Sequence, residues 1–163
     1  IETYVRAKTM EAIEATHKKV DTALKAGGDA VGAQTVIATM PGQLPLACNN
    51  RLNELFVTNA KIAEPNVAVK DAGHFSASTD MGDVSHLLPV IHPFIGGVDG
   101  FLHTADFHVV DFKHAVLLPA KAFAMMIIDL LADDAELARQ IKAEHHPLLT
   151  KEEYIAKLDK YFQ

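Results

Sequence analysis

Five of the chain's nine histidines, His74, His86, His92, His103 and His108, fall within the 35 residues from His74 to His108, accompanied by Asp71, Asp80, Asp83, Asp99 and Asp106. Imidazole and carboxylate are the ligands that suit zinc, manganese or iron, and they also supply general acids and bases near neutral pH. Composition alone assigns none of these roles. The stretch contains no HExxH helix, no cysteine pair and no EF-hand loop, and no GxSxG elbow supports a serine nucleophile. Gly96, Gly97 and Gly100 form no phosphate loop, because no GK[ST] follows them.

Each candidate has a bland reading beside the chemical one. Asp80 and Asp83 flank a glycine, where a carboxylate caps the next helix or accepts backbone N–H bonds; bracing a metal ligand is the functional alternative. His86 follows Asp83 by three residues, a spacing that permits a pair on a helix face. His92 precedes Pro93 and reads as a half-buried histidine satisfied by a neighbour. His17 occupies a helix-packing position, and His145 and His146 suit a helix C-terminus, where positive charge is favoured. Cys48 has no sequence-local base that would make it a nucleophile.

The elements that would hold these residues follow from periodicity. Ile1–Ala7 alternates as a strand that places Arg6 on its polar face. Thr9 then caps an amphipathic helix bearing Met10, Ile13, Val20 and Leu24, which Gly27 and Gly28 should stop. Ala33–Met40, rich in Val, Ile and Thr, reads as a second strand, closed by Pro41, Gly42 and Pro45. Asn50 is expected to cap a helix carrying Leu52, Leu55, Phe56 and Ile62. Short strands are expected at Val67–Val69 and Val90–Ile95. From about Lys113 the chain turns helical, with Pro119 in a first turn or at a kink, and Phe123, Met126, Ile127 and Leu130 facing inward. Two helices finish it, Asp134 to about His145 and one opened by the Thr150/Glu153 capping box. The order suggests an α/β protein with a boundary near Gln43 and a substantial helical tail.

Bulk properties narrow the partners. A chain of 163 residues with 49% hydrophobic content can bury a core, and a formal charge of -6 gives no broad cationic surface for nucleic acid. The longest apolar run, Ala115–Leu131, is broken by Pro119, Lys121 and Asp129 and falls short of the roughly 20 residues that span a bilayer. It reads as a buried helix, so no membrane partner is expected. A single cysteine suits a reducing compartment, with the cytoplasm as default. Because the strand-like alternation begins at Ile1 with no polar leader, the chain is expected to start inside a longer protein.

The order of residues is more specific than their number. Ser78-Thr79-Asp80-Met81-Gly82-Asp83-Val84-Ser85, then Pro89, His92-Pro93, a glycine-bearing connection and His103-Thr104 resemble the carboxy-terminal motifs of di-zinc amidohydrolases of the aminoacylase and aminobenzoyl-glutamate hydrolase type. Glu2–Ala7, the following helix and Pro41–Leu46 look like the end of that family's inserted lid domain, so the resemblance covers nearly the whole chain.

The resemblance implies part of a three-layer α/β/α zinc-peptidase catalytic domain, residues 44–163, preceded by the strand-helix-strand end of a ferredoxin-like lid and dimerisation domain, residues 1–43. It implies two divalent metal ions, zinc first and manganese as the alternative, sharing a bridging carboxylate, with a glutamate activating the water that attacks an amide carbonyl. By the match of His103-Thr104, His103 would be the one metal ligand present. Arg6 matches an arginine suited to a substrate carboxylate, for which its planar fork is fitted. Asp80, Asp83, His86 and His92 would support the site or the fold, and no catalytic residue is carried over. The amino-terminal half of the same protein, a second copy and a small amide substrate are the implied partners. The isolated chain is expected to be inactive and to bind no metal tightly. A reading from another class is a folded interaction module whose strand-helix-strand segment pairs with its own copy.

Overall fold

The computed structural model describes residues 1–71, 73 and 77–160; His74 lies outside the described residues. The described chain divides into two compact units: Ile1–Ala47 with Ala72–Leu88 and Pro147–Gln163, and Cys48–Asp71 with Pro89–His146.

In the first unit, helix α1 spans Met10–Ala30, and Thr9 caps it by accepting the Ala12 N–H at 3.2 Å. The expected stop at Gly27 and Gly28 is corrected, because the helix runs through both. Its end lies at Gly32, whose φ of 70° is the left-handed conformation that glycine adopts without a Cβ penalty. There the Ala33 N–H reaches Gly28 O at 2.9 Å and the Gly32 N–H reaches Asp29 O at 3.1 Å, the paired bonds of a Schellman ending. The apolar stripe is only half-buried and lines a groove of about 220 Å³ with residues such as Val5, Ile37 and Leu158. His17 lies on this stripe as expected, with Nε2 3.4 Å from Asp21.

Helix α3, Met81–Ser85, and helix α5, Lys151–Asp159, complete this unit. The capping box forms as the sequence predicts, with Glu153 N–H donating to Thr150 Oγ1 at 3.1 Å and Thr150 N–H donating to Glu153 Oε2 at 2.7 Å.

The second unit is built on helix α2, Asn50–Ala63, and helix α4, Leu118–Glu144. Asn49, one residue earlier than expected, supplies the α2 cap by accepting the Leu52 N–H at 3.0 Å. Leu52, Phe56, Asn59 and Ala60 form the buried face of α2, and Ala122, Met126 and Ile141 of α4 join them in the core. The Phe56 and Phe123 rings meet at 4.9 Å between centroids. Asn59, only 2% exposed, satisfies its amide by donating to Leu55 O at 3.1 Å and to Asp129 Oδ2 at 2.7 Å. That pairing explains how a polar side chain sits in the apolar seam with both amide N–H groups bonded.

One π-type turn, Lys113–Leu117, runs directly into α4, where Pro119 occupies the first turn. Together they span 32 residues, Lys113–Glu144, as two helices joined at a kink, with a window of mean hydropathy 1.9; by length and composition the stretch could cross a membrane, and only 11% of that window is buried. Two expectations are corrected here. The apolar stretch read as a buried helix has little of its surface covered, and Ile127, expected to face inward, is 55% exposed. At Ala132 the helix breaks, and Asp133, Asp134 and Ala135 take left-handed φ values of 48°, 59° and 58°.

Among the described residues, the single ladder is antiparallel: β1, Val98–Asp99, pairs Val98 with Val109 and Asp99 with His108 of β2, His108–Val109. The strands expected at Ile1–Ala7, Ala33–Met40, Val67–Val69 and Val90–Ile95 do not form. A strand exists through inter-strand hydrogen bonds, and β-rich composition without a paired neighbour leaves the backbone outside a sheet.

Candidate functional site

His103 lies in the connection of the β1–β2 hairpin, and the local sequence explains the bend. Gly100 has φ 87°, and a Cβ there would meet Asp106 O at 2.5 Å. Asp99 Oδ1 accepts the Gly100 N–H at 2.8 Å. Further along, Thr104 Oγ1 donates to Phe101 O at 2.6 Å and hydrogen-bonds the Asp106 carboxylate. His103 is exposed and holds a left-handed φ of 64°. For a residue bearing a Cβ that conformation costs on the order of 1–2 kcal/mol. Asp106, close to His103 in sequence, binds Thr104, and its backbone oxygen lies 2.6 Å from His108 Nδ1.

His92, also in the second unit, is half-buried as expected, with its ring edge-on to Phe94 at 5.6 Å. Its expected hydrogen bond is corrected: Nδ1 is buried without a partner among the described residues. His145 caps α4 through its backbone, donating to Ile141 O at 3.1 Å, while its ring Nε2 is buried with no partner among the described residues.

The first unit gathers Asp80, Asp83 and His86 around α3. The cap expected from Asp80 is corrected, since its carboxylate makes no capping bond and accepts the Gln43 side-chain amide instead. Asp83 Oδ1 accepts the Tyr154 hydroxyl at 3.2 Å. Burial, followed by the nearby Asp83 charge, raises the Tyr154 hydroxyl above its ordinary pKa. His86, 6% exposed, places Nε2 2.9 Å from Pro45 O. Arg6 is exposed and stacks over Tyr4, with its guanidinium carbon 5.2 Å from the ring centroid.

Among the described residues, no group of three or more His, Cys, Asp or Glu side chains converges as a metal site. His103 is an accessible single donor, which fits one ligand of a site whose other ligands come from elsewhere.

Sequence reasoning missed the Asp111–His114 pair at the start of the π-type turn. Asp111 Oδ1 accepts the His114 N–H at 3.1 Å, and Oδ2 lies 2.6 Å from His114 Nδ1. An aspartate three residues before a helical N–H was the available signal. The His114 side-chain bond, then its backbone bond, holds the Asp111 carboxyl below its ordinary value of 3.8. Its contribution to stability is therefore present above that value and is lost as pH falls through the depressed one. Asp111→Asn should lower the melting temperature at pH 6, with the difference from wild type shrinking in melts taken at progressively lower pH, as the depressed carboxyl value is passed.

No family model matches the chain, and no solved structure matches it. The chain is similar to a mouse protein described as Xaa-Arg dipeptidase, with 30% identity over 142 residues, 82% of this chain. It spans 33% of that relative's length. The similarity is thus to part of a peptide-cleaving enzyme.

Proposed function

We propose that the chain is the carboxy-terminal portion of a metal-dependent amidohydrolase that cleaves the amide bond of a small substrate: a dipeptide, an N-acyl amino acid or an aminobenzoyl-glutamate-like compound. The observation that carries this reading is the similarity to the dipeptidase across 142 residues, a stretch long enough to include the motif order from Ser78 to Thr104. It favours dipeptides, those with a carboxy-terminal arginine among them.

In this reading His103 holds one of two divalent metal ions, with zinc preferred and manganese the alternative. The metals supply an activated water and polarise the amide carbonyl. The left-handed backbone of His103 supports a functional role, since such strain collects at sites where geometry matters more than local stability. Arg6 pairs with the substrate carboxylate through its planar fork. The remaining ligands and the catalytic glutamate belong to sequence outside this chain.

The same reading accounts for exposed apolar surface. Ile127, Ile128 and Leu131 stand 55%, 66% and 64% exposed on a helix whose other face is packed on α2. A helix apolar on both faces belongs between two layers. In this reading the missing layer is a sheet of the proposed three-layer α/β/α domain. The lid portion, residues 1–43, makes a homodimer in this reading.

Incubating the complete protein with a panel of dipeptides and N-acyl amino acids tests the function. Release of a free amino acid from at least one class is expected. Failure on every class, with folded protein, overturns the reading.

A further inference from the structure

The segment 43–47 and the Asp80–His86 run are joined almost residue by residue. The Gln43 amide donates to Asp80. The Leu44 carbonyl presses on Gly82, where a Cβ would stand 1.9 Å from that oxygen, so the approach requires glycine. Pro45 O lies 2.9 Å from His86 Nε2. The Ala47 N–H donates to Ser85 Oγ at 3.0 Å, while that hydroxyl donates to Gly82 O at 2.6 Å. Ser85 and His86 are 1% and 6% exposed, so these bonds are shielded from competing water. The run is also held by α5 and the residues leading into it, with the Leu149 N–H on His86 O at 3.0 Å and the Tyr154 hydroxyl on Asp83.

The most specific motif of the sequence therefore directs its polar atoms at a strap of backbone. The strap's Gln43 and Leu44 line one groove with Thr3, Tyr4 and Val5, the residues directly before Arg6. We propose that Asp80, Ser85 and His86 are positioning residues that clasp the strap 43–47 and, through that shared groove, hold the segment leading to Arg6. The clasp stands on the contacts alone; its effect on substrate binding rests on the function proposed above.

Hydrogen exchange on the chain tests the clasp without any need for activity. Ser85→Ala removes the acceptor of the Ala47 N–H, and exchange at Ala47 should quicken roughly five- to tenfold while the α1 amides keep their wild-type rates. Should Ser85→Ala not fold, Gln43→Ala, at an exposed position, is expected to quicken exchange of the Ala47 amide. Unchanged exchange in the folded variants overturns the clasp.

In the complete enzyme, either variant should raise KM about tenfold, with kcat within twofold of wild type and metal content unchanged. Quickened exchange with a lowered kcat and constant KM overturns the positioning role. If wild-type enzyme hydrolyses nothing, the functional reading and the effect on KM both fail, while the exchange result still decides the clasp.

Discussion

His103→Ala in the complete enzyme is expected to lower metal occupancy and cut kcat/KM by about a hundredfold or more, on the order of 3 kcal/mol of lost transition-state stabilisation. The two losses should move together, because in the proposed function the imidazole acts through the metal it would hold. His103→Gly separates that role from the backbone. At φ 64° glycine relieves the left-handed strain, so the hairpin should be no less stable than wild type, yet the metal and turnover should still be lost. His108→Ala is the control: its ring lies against the backbone oxygen of Asp106, and it should leave metal content unchanged. Atomic absorption and turnover on the same preparations read all three. Wild-type metal content and turnover in His103→Ala would remove the ligand role.

The largest loss of stability is expected at Phe56. Its side chain is buried in the α2–α4 seam, 4.9 Å between centroids from Phe123, with Leu52, Ala60 and Met126 in the same cluster. Phe56→Ala removes most of an aromatic side chain from a site that the two helices cannot fully collapse, which costs about 3–5 kcal/mol. Denaturant unfolding of the chain should show it as an earlier midpoint. Ile127→Ala, on the exposed face of α4, should change the same transition by less than about 0.5 kcal/mol. A comparable cost at both positions would contradict the packing described for this helix pair.

Local signals were read well from the sequence because the groups that satisfy them lie within one helical turn. The Thr9 cap and the Thr150/Glu153 box needed only neighbouring backbone N–H groups. The glycines misled: Gly27 and Gly28 have weak helix propensity, but the α1 ending depended on the left-handed turn at Gly32. The strands were not legible in the same way. Val, Ile and Thr at 33–40 set a preference, but a ladder depends on a neighbour that composition does not specify.

The candidate site divides similarly. His103 could be singled out only by the order of motifs, since five histidines share its stretch. The partners of Asp80, Asp83 and His86 lay 37 to 71 residues away, in Gln43, Tyr154 and Pro45, so local spacing could not reveal them. The burial of His92 was legible, but the lack of an Nδ1 partner among the described residues was not, because hydrogen-bond satisfaction depends on tertiary neighbours.

The most direct measurement is amide hydrolysis by the complete protein, followed by metal analysis before and after chelation on one preparation. The expected result is about two divalent ions per active site, loss of turnover as they are stripped, and its return when zinc or manganese is added. Undiminished hydrolysis by metal-free protein, or a folded, metal-loaded protein that cleaves no amide substrate, would contradict the proposed function.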